Sequence, residues 1–120
     1  MRTQRRDEMR LAHTLRAMGH PTRLRIIQRI AEGEFCVSDL ERELEQSQPN
    51  ISQHLAKLRD CGLIIPQRRG GITCYRLTDE RIARVIRQVQ EIIGLPSGRE
   101  VAARRKVEQL RNWSAKRAGA

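Results

Sequence analysis

The sequence predicts a mainly α-helical fold with one small β-hairpin. Two observations carry this. Apolar residues recur three and four positions apart through six stretches, as one buried helix face requires. Only once does the pattern change, around Leu63 to Leu77, where two short β-branched runs flank Arg68-Arg69-Gly70-Gly71. Composition agrees. One Trp, one Tyr and one Phe in 120 residues leave Leu, Ile, Val and Ala to build the core, which suits helix-on-helix packing. The length fits one domain.

The first helix is expected over 7–18, with Met9, Leu11, Ala12, Leu15 and Met18 on a broad apolar face. Gly19-His20 breaks it, and Pro21 suits the first position of the second helix. That helix carries Leu24, Ile26, Ile27 and Ile30. A third, short helix over 37–44 turns Val37, Leu40 and Leu44 inward, with Ser38 or Asp39 at its start as a cap. The fourth helix begins near Ser47 and Pro49. Ile51, Leu55 and Leu58 stand at i, i+4 and i+7 and share one buried stripe. Gln48, Asn50, Ser52, Gln53 and Lys57 fall largely outside it, and His54 lies at its edge. Cys61-Gly62 ends the helix. Leu63–Ile65 and Ile72–Leu77 read as the hairpin strands, with Arg68 and Arg69 at the tip. Thr78-Asp79 caps a helix over 80–93 with Ile82, Val85, Ile86, Val89, Ile92 and Ile93 along it. Residues 94–98 read as a linker. Residues 99–118 read as a basic helix of net charge +5 with a thin seam of Ala103, Val107, Leu110 and Trp113.

The order of helix, helix, short helix, helix, hairpin, helix is that of a winged helix-turn-helix. In that arrangement the fourth helix enters the major groove of double-stranded DNA. Such a face must stay clear of large apolar groups. Asn and Gln pair bidentately with adenine, and Ser bonds to several bases. The candidate DNA-facing residues are therefore Ser47, Gln48, Asn50, Ser52, Gln53, His54 and Lys57, with Arg68 and Arg69 of the wing on phosphates.

The formal charge of +10 suits a polyanionic partner. The scarcity of aromatics argues against a platform for single-stranded nucleic acid. No apolar run approaches a membrane span, and the basic N-terminus lacks the apolar stretch of a secretory signal. No nucleophile–base pair, phosphate loop or metal-hydrolase motif points to an enzyme. Three cysteines without framework spacing suggest free thiols in a cytoplasmic protein. The competing reading is a basic protein that binds nucleic acid or membrane surfaces without sequence preference.

Four stretches carry a resemblance: MGHPTRLRII at 18–27, FCVSDLEREL at 35–44, QSQPNISQHLAKLRDCGLI at 46–64 and GGITCYRLTDE at 70–80. In this order and spacing the chain resembles the ArsR/SmtB family of bacterial winged helix-turn-helix transcriptional regulators. The resemblance implies a homodimer joined through helices 7–18 and 80–93. It implies a repressor that binds a palindromic promoter site and is released by an inducer. The expected organisation is a basic segment (1–10), a DNA-binding and dimerisation domain (11–94), and a linker with a basic C-terminal helix (95–120).

The resemblance also bears on the cysteines. Many members sense thiophilic metals or metalloids through Cys-Val-Cys at the start of the short helix. Here the stretch is Cys36-Val37-Ser38, and a serine hydroxyl substitutes poorly for a thiolate. The family's other metal site uses His, Asp and Glu on the last dimer helix, which here has no histidine. The candidate sensor is therefore Cys36, for a thiophilic metal, a metalloid, or a sulfur or redox species. Cys61 and Cys74 are lesser candidates that read as structural. The alternative is a regulator with no cysteine-based sensing, its thiols serving as small buried hydrophobes.

Overall fold

The computed structural model describes residues 2–33, 35–96 and 106–113. The chain forms two compact units, 1–83 and 84–120. In order, the elements are α1 (Arg2–Met18), α2 (Pro21–Ala31), β1 (Phe35–Cys36), α3 (Val37–Leu44), α4 (Gln48–Asp60), β2 (Ile64–Arg69), β3 (Ile72–Leu77) and α5 (Arg81–Ile92). Residues 106–113 are also helical, with Val107, Leu110 and Trp113 roughly half exposed. The rest of the expected 99–118 helix lies outside the described residues.

The core of the first unit is aliphatic. Ile26, Ile27 and Ile30 of α2, Leu40 and Leu44 of α3, and Ile51, Leu55 and Leu58 of α4 are all buried. Burying each such side chain contributes about 1.5–3 kcal/mol. Leu63, Ile64 and Tyr75 join them from the sheet side. Helix ends follow local chemistry. His20 caps α2, its Nδ1 accepting from the Thr22 backbone N–H at 3.1 Å, and Pro21 follows. Gly62, at φ 77°, closes α4. Its N–H donates to the Arg59 carbonyl, and that of Leu63 to the Leu58 carbonyl.

Several expectations need correction. Helix α1 begins at Arg2 rather than Asp7, because nothing in RTQRR breaks a helix. Neither Ser38 nor Asp39 caps α3. The cap position is Cys36, which makes no side-chain capping bond, and Asp39 in the first turn pairs with Arg42 at 3.5 Å. The hairpin is part of a three-stranded antiparallel sheet ordered β1-β3-β2. Strand β2 runs through Pro66 to Arg69, so Arg68 and Arg69 lie in the strand beside the Gly70-Gly71 turn. The expectation of three free thiols also fails. Cys36 and Cys74 form a disulfide, and Cys61 is the free cysteine. Chain spacing could not show this, because the pair is brought together by register. Phe35 faces Tyr75 and Cys36 faces Cys74 across β1 and β3, 38 residues apart in the chain.

Candidate nucleic-acid interface

Helices α3 and α4 form the helix-turn-helix. The turn passes through Glu45, which takes a left-handed conformation at φ 52°. Gln46 Nε2 then donates to Thr22 Oγ1 at 3.1 Å, anchoring the turn to α2. Ser47 takes the cap position of α4 without a side-chain capping bond, and proline stands in the first turn. The leading amides of α4 are therefore left for an outside acceptor, and the helix dipole favours a phosphate there.

The stripe of Ile51, Leu55 and Leu58 holds the inner face of α4 in the core. Ser47, Gln48, Asn50, Ser52, Gln53 and Lys57 are all exposed. Asn50, Gln53 and Lys57, at i, i+3 and i+7, share one outer face. The wing adds charge. Arg68 pairs with Thr73 and Arg69 with Ile72, each with its side chain at the surface. The Thr78 hydroxyl donates to the Gly62 carbonyl at 2.8 Å and sits 3.2 Å from that of Leu63, fastening the wing's return to its start.

His54 differs from its neighbours. It is half-buried and turned inward. Its ring lies 4.6 Å from that of His20, and Arg23 Nη1 donates to its Nδ1 at 3.3 Å. Burial, then the nearby His20, Arg23 and Lys57, hold its pKa below the ordinary histidine value. Arg23 is itself buried. Its guanidinium also donates to the carbonyls of Ala17 and Arg16 in the last turn of α1. A cation there complements the helix dipole. Arg23 thus ties the end of α1 to the inner side of α4. Sequence reasoning missed it, since a charged residue on a helix reads as solvated unless its partners are known.

Among the described residues, no group of three or more His, Cys, Asp or Glu side chains could hold a metal ion. The bond between Cys36 and Cys74 engages both sulfurs, and Ser38 stands where a second thiol would be needed. A thiophilic-ion site at Cys36 does not fit this state.

The sequence profile of the bacterial regulatory proteins of the arsR family matches residues 20–65, from the cap of α2 into β2. The biofilm growth-associated repressor of Agrobacterium fabrum is 36% identical over 86 residues, covering 72% of this chain and 74% of that protein. This chain belongs to the arsR family. Among solved structures, NolR from Sinorhizobium fredii superposes with a TM-score of 0.70 at 28% identity, covering 78% of this chain and 94% of that one. A homodimeric winged helix-turn-helix DNA-binding domain from Mycobacterium bovis also reaches 0.70, at 25% identity, covering 76% and 84%. As an arsR-family member with this architecture, the protein is a transcriptional regulator of the repressor type and not an enzyme.

Proposed function

We propose that the protein is a homodimeric repressor that binds a palindromic promoter site in duplex DNA and is released by an inducer. The observation that carries this is the exposed polar face of α4 beside a basic wing. Asn50 and Gln53 read base edges, Ser47, Gln48 and Ser52 position the helix, and Lys57, Arg68 and Arg69 neutralise phosphates. His54 acts from the inner side, by holding α4 in place. The dimer forms through α1 and α5. Met9, Leu11 and Leu15 on one, and Val85, Val89 and Ile92 on the other with Ile93 just past its end, expose far more apolar surface than a solvated helix needs. Two recognition helices then stand about 34 Å apart, one turn of duplex. The protein acts in the cytoplasm. Residues 11–94 carry DNA binding and dimerisation, and the basic segments outside them add nonspecific affinity.

The test is a titration of the reduced protein with the promoter duplex upstream of its own gene, across a salt series. A saturable duplex preference whose affinity falls steeply with salt supports the reading, since each neutralised phosphate releases counterions. Equal binding to random duplex, single strands and anionic vesicles would replace it with the nonspecific basic binder.

A further inference from the structure

We propose that Cys36 and Cys74 form a reversible dithiol–disulfide switch that fastens the wing to the helix-turn-helix. A hydroperoxide sets it and a small dithiol resets it. The inference rests on the reading of the chain as a duplex-binding regulator.

The two cysteines sit where a covalent bond has most to add. Strand β1 has two residues, paired to β3 only through Phe35 with Tyr75 and Cys36 with Cys74. So short an edge strand is weakly held by its backbone alone. Cys36 is also the residue from which α3 starts. Cys74 lies in the central strand β3, opposite Gln67 of β2 and two pairs from the wing turn. The bond therefore joins the first residue of the helix-turn-helix to the root of the basic wing. With it in place, Arg68 and Arg69 are held relative to α3, and through the Glu45–Ser47 turn relative to α4. Without it, β1 and the wing are free to shift against each other.

The burial of the two residues orders the chemistry. Cys36 is half-exposed, whereas Cys74 retains 4% of its surface. Cys36 is the thiol that an oxidant in solution meets, and the positive end of the α3 dipole favours a negative sulfur there. Its thiolate attacks the peroxide. An S–O bond forms, the O–O bond breaks, and an alcohol or water leaves. The Cys74 thiol then attacks the Cys36 sulfenic acid. The S–S bond forms, the S–O bond breaks, and hydroxide departs as water with the Cys74 proton. The two sulfurs together give up two electrons and the peroxide gains them. An added dithiol reverses the step by exchange and leaves as its own disulfide.

Oxidation holds the wing in place before DNA arrives, so less ordering remains to be done on binding. The oxidised protein is therefore expected to bind its promoter duplex at least about five-fold more tightly than the reduced protein, the lower end of ordinary coupling between sites. The experiment uses the full chain, treated with hydrogen peroxide or with dithiothreitol. Mass spectrometry counts the two hydrogens lost, and duplex titration gives the affinity of each form. Cys36→Ser, at the more exposed position, and Cys74→Ala should bind duplex like the reduced protein and should not respond to peroxide. Equal affinity of the two wild-type forms, or tighter binding by the reduced one, would overturn the switch. A response that survives in Cys36→Ser would move it to Cys61 and overturn the pairing. If neither form binds duplex while mass spectrometry still shows the bond forming, the regulator reading fails rather than the thiol chemistry.

Discussion

Helices α4 and α5 are both amphipathic, and they treat their apolar stripes in opposite ways. In α4, Ile51, Leu55 and Leu58 retain at most 1% of their surface. In α5, Ile86 is buried, but Val85 and Val89 remain about half exposed and Ile92 is 82% exposed. The stripe of α4 is thus satisfied within one chain, and its opposite face is left polar for a hydrophilic partner. The stripe of α5 stays open among the described residues, and a helix with such a face needs something apolar against it. One helix is a finished part of the core that presents chemistry outward. The other leaves an apolar face uncovered.

The contrast sets an order of expected effects. Leu55→Ala should cost about 2–5 kcal/mol of folding stability, because the emptied space lies in a closed core. Chemical denaturation measures it, and a cost near zero would mean that the stripe is not the anchor of α4. Val89→Asp should leave the fold intact by circular dichroism yet shift the protein to monomer in sedimentation, with loss of tight binding to a palindromic duplex. A variant that stays dimeric would place the interface elsewhere. Gln53→Ala should lower discrimination against mismatched duplexes by about 1–3 kcal/mol. Arg68→Ala should instead weaken all duplexes alike and reduce the salt slope by about one unit. Competition binding across sequences and salt separates the two.

The smallest effect concerns pH. His54 is neutral in the fold, where its Nδ1 accepts from Arg23, and its pKa is lowered first by burial. Below the ordinary histidine pKa of about 6.5 the unfolded chain takes up a proton that the folded chain resists. The contribution of His54 is therefore complete above that value and fades as pH falls through the lowered one. Denaturation midpoints of His54→Gln should fall less than those of wild type between neutral and mildly acid pH. Parallel curves would show that folding does not lower the His54 pKa.

What was legible in the sequence was whatever depends on near neighbours along the chain. The i, i+4, i+7 spacing of Ile51, Leu55 and Leu58 located the inner face of α4, and with it the outer one. Gly62 and the Gly70-Gly71 pair marked the end of α4 and the wing turn. What escaped depends on distant pairing. Strand β1 is two residues long and exists only because β3 lies beside it. Cys36 and Cys74 meet for the same reason. The inward turn of His54 follows from Arg23, 31 residues earlier, whose burial required the carbonyls at the end of α1 to be in place. Capping at α3 misled because Ser38 and Asp39 are good capping residues, while the sheet pairing of Cys36 set where the helix could start.

The Gly70-Gly71 turn has a different kind of consequence. Both glycines are exposed, with φ of 57° and 81°, and a Cβ added at either would meet no atom within 4 Å. The register of the hairpin is meanwhile fixed at its other end, where Ile64 pairs with Leu77 and the Thr78 hydroxyl donates to the Gly62 carbonyl. Length at the tip is therefore uncoupled from packing at the base. Residues can be added or removed there in matched pairs, and the core need not be solved again. For an engineer this is a graft site for a label or a longer basic finger. For an evolving lineage it is a dial that changes how far the basic finger extends while the helices behind it stay put.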